Sequence, residues 1–135
     1  MPTNIRFSQF NASLNRNAAG QLLDDLSTPD NAQAQAVAET IQRTNPDVLL
    51  INEFDYVEAD PLAAVRLLQQ NYLSVGQNGA APVNYPYVYI APSNTGIASG
   101  FDLDNNGAQL FARHHRWLYQ HNLSGFTLRV ALFRF

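Results

Sequence analysis

Two carboxylates follow directly on an unbroken apolar run of strand length. The run is residues 48–51, and Asn52, Glu53 and Asp55 come after it. Such a run predicts a central strand buried on both faces, and open α/β sheets bind ligands beyond the ends of such strands. Because Mg²⁺ takes oxygen ligands and often only one or two carboxylates from the protein, this position suits a hard divalent cation. Glu53 is the leading candidate for that ligand.

A second polar group ends an earlier strand candidate. Residues 5–11 alternate apolar and polar side chains, which is the period of a half-buried strand, and Asn11 closes the run. A parallel arrangement of the two strands would bring Asn11 beside Glu53. Otherwise Asn11 is a turn residue that satisfies the backbone. Asn52 and Asp55 are weaker candidates, because Asp55 can equally be a supporting hydrogen-bond acceptor or a solvated acid.

A helix is expected to connect these strands. Residues 12–28 predict mostly loop, with a helical turn at 21–26 as an alternative. Asp30 is the expected N-cap, with Gln33 completing a capping box. Apolar side chains then recur at the spacing of one helical face over residues 31–44. A strand, a helix and a second strand of these lengths predict a crossover unit with parallel strands.

Further elements are predicted beyond the two carboxylates. Asp60 and Pro61 form a helix start signal, and an apolar face follows it as far as Tyr72. Residues 75–81 are rich in glycine and small side chains and predict a loop. Residues 83–91 are rich in aromatic and branched side chains and predict a strand, in which a proline favours an edge position or a bulge.

Three stretches, residues 10–14, 46–55 and 91–107, carry a resemblance to a known family. Together they resemble the amino-terminal part of the endonuclease/exonuclease/phosphatase superfamily, the deoxyribonuclease-like metal-dependent phosphoesterases, and are most similar to a bacterial branch that is often secreted. The resemblance implies an α/β fold, a partial sandwich of the family type with a mixed β-sheet flanked by helices. It implies that Glu53 and Asn11 are both catalytic residues of one metal site, in which Glu53 binds Mg²⁺ or Mn²⁺ and Asn11 lies in the metal and phosphate neighbourhood.

The family pattern ends where the composition of the chain changes. Residues 1–107 hold all eleven acidic residues and four of the eight arginines, whereas residues 108–135 hold four arginines, three histidines and no acid. We therefore predict an amino-terminal part of the family domain at 1–107 and a divergent basic tail at 108–135. One hypothesis is that the tail comes from a shifted reading frame. A helix near residues 110–121 and a strand near 126–132 are nevertheless compatible with its apolar pattern.

The family's later catalytic motifs are not found in this sequence. No Ser-Asp-His occurs, so none of the three histidines is assigned the family's catalytic role. The resemblance thus predicts a truncated phosphoesterase that is weakly active or inactive alone. Its substrate would be a nucleic acid or a small phosphate ester. The alternative is a non-enzymatic α/β binding or interaction module, with self-association through uncovered sheet edges and apolar faces.

Two other patterns suggest metal binding less strongly. Residues 102–107 match the opening of a calcium loop, but its twelfth position is Arg113 where a bidentate glutamate is required. An Asp/Asn-rich turn is the favoured interpretation, and weak Ca²⁺ binding is the other. His114, His115 and His121 lack the spacing that would converge on one ion, so solvated or packing histidines are favoured.

Composition excludes several further classes of protein. The chain of 135 residues has no cysteine, which excludes disulfides, thiolate metal sites and a cysteine nucleophile. No apolar run approaches the ~20 residues of a membrane-spanning helix, and no signal peptide is recognised. No membrane partner is expected, and the location of the protein is left open.

Overall fold

A four-stranded mixed sheet organises the part of the chain described by the computed structural model, residues 4–90 and 129–134. The strands are β1 (Phe7–Leu14), β2 (Val48–Phe54), β3 (Tyr87–Ile90) and β4 (Arg129–Phe133), in the spatial order β1-β2-β4-β3. β1 and β2 are parallel, whereas β4 runs antiparallel to both of its neighbours. The predicted α/β class with a mixed sheet and helices is therefore confirmed.

The connection from β1 to β2 carries two helices, α1 (Gln21–Leu26) and α2 (Ala32–Thr44). The predicted crossover with parallel strands is confirmed. The prediction of loop is wrong at residues 12–14, because β1 continues to Leu14, and the alternative of a helical turn at 21–26 is confirmed by α1. Leu22 and Leu26 of α1 are fully buried, so packing stabilises a helix that is too short to be stable by itself.

Helix α2 has the predicted apolar face but a different start. Its N-cap is Asn31, whose side chain accepts a hydrogen bond from the Ala34 amide at 3.0 Å, so the predicted capping box on Asp30 is wrong. The four apolar side chains of the predicted face are all buried: Ala34, Val37, Ala38 and Ile41. The helix ends at Asn45, which adopts left-handed geometry and precedes a proline that cannot continue the helix.

The helix after β2 begins later than its start signal. α3 (Ala63–Leu68) has Leu62 at its N-cap, and it continues directly into a π-helical turn, Gln69–Leu73. Asp60 lies outside the helix and forms an ion pair with Arg66. The predicted strand at 83–91 is shorter than expected and spans only Tyr87–Ile90, with Ala91 outside the described residues.

The helices and one face of the sheet form one hydrophobic core. Leu49 and Ile51 of β2 and Val130 and Leu132 of β4 are fully buried in it, together with side chains from every helix. The side chains on the opposite face of the sheet are more exposed to solvent. Val48 and Leu50 are only partly buried, so the prediction that both faces of β2 are fully buried is wrong. The position of β2 between two strands is as predicted.

Strand β4 brings the end of the chain into the sheet interior. It lies between β2 and β3, and Arg134 after it donates hydrogen bonds to Pro46 O at 3.0 Å and Asn45 O at 2.8 Å. These bonds fix the turn that leads into β2. The division of the chain after residue 107 and the frame-shift hypothesis stay predictions, since residues 91–128 are outside the described part. Among the described helices, none is long and apolar enough to cross a membrane.

Candidate functional site

The site begins with an irregularity where β1 and β2 end. Pairing is regular as far as Asn11 and Asn52, and it resumes at Leu14 and Phe54. Two residues of β1 therefore lie opposite the single residue Glu53 of β2, which is the arrangement of a β-bulge. Bulges are frequent beside active sites because they redirect side chains and end the regular pairing.

The bulge brings Asn11 and Glu53 together through Ser13. The Ser13 hydroxyl donates to Glu53 Oε2 at 3.3 Å and lies 3.5 Å from Asn11 Oδ1. The Ser13 amide donates to the same Asn11 oxygen at 3.0 Å. Asn11 is exposed and Glu53 is partly buried, so both side chains are accessible to a ligand. Asn11 and Glu53, the two leading candidates from the sequence, are thus neighbours at the edge of the sheet where the carboxyl-terminal ends of β1 and β2 lie.

Both residues that meet at the bulge have left-handed backbone geometry. Ser13 has φ of 49° and Glu53 has φ of 54°. This region is sparsely populated by residues other than glycine, because the Cβ atom approaches the following carbonyl oxygen. Such strain persists only where the surrounding structure enforces it, and it is concentrated at functional sites. Here the neighbouring strand and the bulge enforce it on the acid that is the leading ligand candidate.

Asn52 contributes a buried oxygen at the same edge. Its Oδ1 atom is buried and has no hydrogen-bond partner among the described residues. A buried acceptor left without a partner costs about 1–3 kcal/mol, so such groups require an explanation. Asn52 pairs in register with Asn11 and directly precedes Glu53, so this unpartnered oxygen belongs to a residue at the same end of the two strands.

Comparisons of the chain with protein-family models, with curated proteins and with solved structures found no match. In the described part of the chain, no group of three or more histidine, cysteine, aspartate or glutamate side chains gathers as a metal cage. A cation here would rely on one carboxylate, amide oxygens and water, a ligand set that Mg²⁺ accepts.

Arg16 holds the loop that follows the bulge. Its Nε donates to Asp25 at 2.6 Å, and its other nitrogens donate to Asn15 O at 2.9 Å, to Gln33 Oε1 at 3.1 Å and to Ser13 O at 3.4 Å. These contacts tie the bulge to both α1 and α2. The guanidinium is therefore directed into the fold, where it orders the loop.

Asp55 lies behind the site as a buried carboxyl group. It is 6% exposed and accepts a hydrogen bond from the Arg16 amide at 3.1 Å. Burial raises the pKa of Asp55 to about 6, and the Arg16 amide and guanidinium only partly oppose this. No described contact joins Asp55 to Glu53 or Asn11. Its direct role is to anchor the loop after β1.

We expect Asp55→Asn to stabilise the protein at neutral pH. Because the pKa of Asp55 is raised on folding, this group favours the folded state below its unfolded pKa, and that contribution is lost as pH rises through about 6. Asparagine keeps an acceptor for the Arg16 amide and removes the buried charge. The free energy of unfolding should rise on the order of 2 kcal/mol at pH 7.5, with little change near pH 3.5.

Urea unfolding of wild type and Asp55→Asn across this pH range measures the difference. The matched control is Asp24→Asn, which removes an exposed carboxylate from α1. A variant that is less stable than wild type at pH 7.5 would show that the ionised Asp55 carboxylate has a stabilising partner.

Sequence reasoning did not assign a function to two of the residues that build this site, Ser13 and Arg16. The available signal for Ser13 was its position two residues after Asn11, where an Asx turn can form. Nothing local indicated the contacts of Arg16. Two other predicted metal patterns, residues 102–107 and the three histidines at 114, 115 and 121, lie outside the described residues.

Proposed function

We propose that this chain carries the amino-terminal part of an Mg²⁺-dependent phosphoesterase site of the endonuclease/exonuclease/phosphatase type, for phosphate mono- or diesters. The observation that carries the proposal is the adjacency of Asn11 and Glu53 at one sheet edge, joined by the Ser13 hydroxyl at 3.3 Å from the carboxylate. These are the two residues that the family resemblance selects. The finer fold assignment, a partial sandwich of that family, is part of the same proposal.

The donor set at this edge suits a hard cation. Glu53 supplies a carboxylate, and the unpartnered Asn52 oxygen supplies a second oxygen close to it in sequence. Oxygen ligands without sulfur or imidazole favour Mg²⁺ or Mn²⁺ over zinc or copper. When bound, the cation would neutralise phosphate oxygens and stabilise charge that develops on the leaving oxygen. Glu53 would hold it, and the Asn11 amide would lie beside the phosphate.

The chain holds only part of the catalytic set that the resemblance implies. In this proposal Glu53 and Asn11 bind and orient, whereas the base that activates water and the histidine belong to later family motifs that are not found in this sequence. General acid–base assistance typically contributes ~10² to 10⁴ in rate. We therefore expect metal binding with weak or absent hydrolysis from this polypeptide alone.

A titration of the protein with Mn²⁺ tests the proposal, with binding measured by calorimetry and by electron paramagnetic resonance. We expect saturable binding that Mg²⁺ displaces, together with little hydrolysis of a chromogenic phosphodiester. A chain that binds neither ion at millimolar concentrations would overturn the proposed function. Robust Mg²⁺-dependent hydrolysis that requires Glu53 would support the metal site and contradict the expectation of weak activity.

An interaction module is the second candidate, because one face of the sheet exposes aromatic side chains. Phe7 is 75% exposed, Tyr87 59% and Tyr89 63%. Phe7, Val48, Phe133 and Tyr87 are successive register partners, so they form one row across all four strands. A row of this kind on a sheet face favours association with another apolar surface. The partner that this candidate commits to is a second copy of the chain.

Phe7→Ser combined with Tyr87→Ser is expected to reduce self-association of the purified protein. The two substitutions interrupt the exposed row while removing little from the core, since both side chains are mostly in solvent. Light scattering after size-exclusion chromatography over a range of concentrations measures the effect. Val75→Ser, at a half-exposed position outside the sheet, is the control. A wild-type protein that stays monomeric throughout would remove this candidate.

A further inference from the structure

We infer that Ser13 is a positioning residue for the proposed site, an inference that rests on the proposed function. Its hydroxyl contacts Glu53 Oε2 at 3.3 Å, and its amide contacts Asn11 Oδ1 at 3.0 Å. One residue therefore engages one atom of each candidate functional side chain. The contact with Asn11 is local, whereas the contact with Glu53 joins residues that are 40 positions apart along the chain.

These contacts engage one atom of each side chain, Asn11 Oδ1 and Glu53 Oε2. Oε2 of Glu53 accepts from the Ser13 hydroxyl, and Oε1 has no hydrogen-bond partner among the described residues, so Oε1 is the freer oxygen for a cation. With Oδ1 of Asn11 held by the Ser13 amide, the Nδ2 group remains as a donor, since an amide carries its acceptor and its donors on different atoms. Ser13 thereby assigns Glu53 to the metal and Asn11 to an oxygen of the phosphate ester.

The bulge is what places the hydroxyl between the two strands. Residues 12 and 13 of β1 lie opposite Glu53 alone, so Ser13 is the extra residue that regular pairing would not accommodate. Its left-handed φ of 49° turns the chain at that point. Glycine would adopt this conformation with less strain, and alanine would have the same strain as serine without the hydroxyl.

Ser13→Gly and Ser13→Ala together separate the hydroxyl from the backbone. Both remove the contact to Glu53, whereas their effects on stability should differ, with glycine relieving the left-handed strain that alanine retains. Loss of a group that orients a metal ligand typically weakens metal affinity 10- to 100-fold. We expect both variants to bind Mn²⁺ about tenfold more weakly than wild type. This loss of affinity should be the same whichever of the two variants has the higher melting temperature.

The control is Ser8→Ala, which removes a hydroxyl from the regular part of β1 and should leave Mn²⁺ affinity unchanged. If wild type binds Mn²⁺ and both Ser13 variants bind it equally well, the positioning role is wrong and the proposed function survives. Affinity loss in the alanine variant alone would assign the effect to the backbone and overturn the role of the hydroxyl. If wild type binds no Mn²⁺, the proposed function fails and this inference fails with it.

Discussion

Replacing Glu53 by glutamine should lower the affinity for Mn²⁺ by more than the ~10- to 100-fold that loss of a supporting residue costs. Glu53 is the only carboxylate among the described contacts at the bulge. Glutamine has nearly the same shape and keeps an oxygen acceptor for the Ser13 hydroxyl, so the change removes the charge and little else. Mn²⁺ titration of wild type and Glu53→Gln measures the loss.

Glu58→Gln is the matched control, because Glu58 is an exposed carboxylate in the loop after β2. It removes the same charge from the protein without altering the bulge. Equal Mn²⁺ affinity in wild type and Glu53→Gln would place the cation elsewhere and remove the central observation of the proposed function. If Glu53→Gln and Glu58→Gln weakened Mn²⁺ affinity equally, the effect would come from net charge alone. That result would also remove the central observation of the proposed function.

Glu53→Gly extends this test to stability. Left-handed geometry costs a residue with a side chain roughly 1–2 kcal/mol, and glycine avoids that cost but loses about 0.5–1 kcal/mol through its greater freedom in the unfolded chain. The glycine variant should therefore be as stable as wild type or slightly more stable, while its Mn²⁺ binding is lost. A strongly destabilised glycine variant would show that the Glu53 side chain serves the fold.

Replacing Leu132 by alanine should destabilise the protein by about 2–5 kcal/mol, the range for truncating a large buried aliphatic side chain. Leu132 is fully buried in β4, where it pairs in register with Leu49 of β2 and Val88 of β3. The cavity would therefore open in the core on the face of the sheet beside Leu49, which lies on the strand that carries Glu53. Thermal and urea unfolding of the variant measure the change in the free energy of unfolding.

Tyr89→Ala provides the control on the neighbouring strand. Tyr89 is 63% exposed, so its truncation should change stability by no more than about 0.5 kcal/mol. If Leu132→Ala were as mild as this control, packing of β4 would contribute little to stability, as expected if residues 108–135 are only a divergent basic tail. A large effect would make the last strand of that segment part of the fold.

Elements whose signals are local could be predicted from the residues alone. The apolar run before Glu53 predicted an interior strand, and the spacing of Ala34, Val37, Ala38 and Ile41 predicted α2 almost to its ends. A buried strand needs a continuous run and an amphipathic helix needs a 3.6-residue repeat, so each pattern is complete within a few residues. The placement of Asn11 beside Glu53 followed from the parallel crossover that these elements require.

The geometry of the strand ends, and the side chains that lie beside them, could not be predicted in this way, because they depend on contacts in the folded protein. The bulge at Ser13, the left-handed geometry of Glu53 and the unpartnered oxygen of Asn52 depend on the register between strands about forty residues apart. The insertion of β4 between β2 and β3 joins segments that are farther apart still. Alternation of side chains indicates which residues can form a strand, but register and strand order are set by contacts between distant segments, which no local pattern contains.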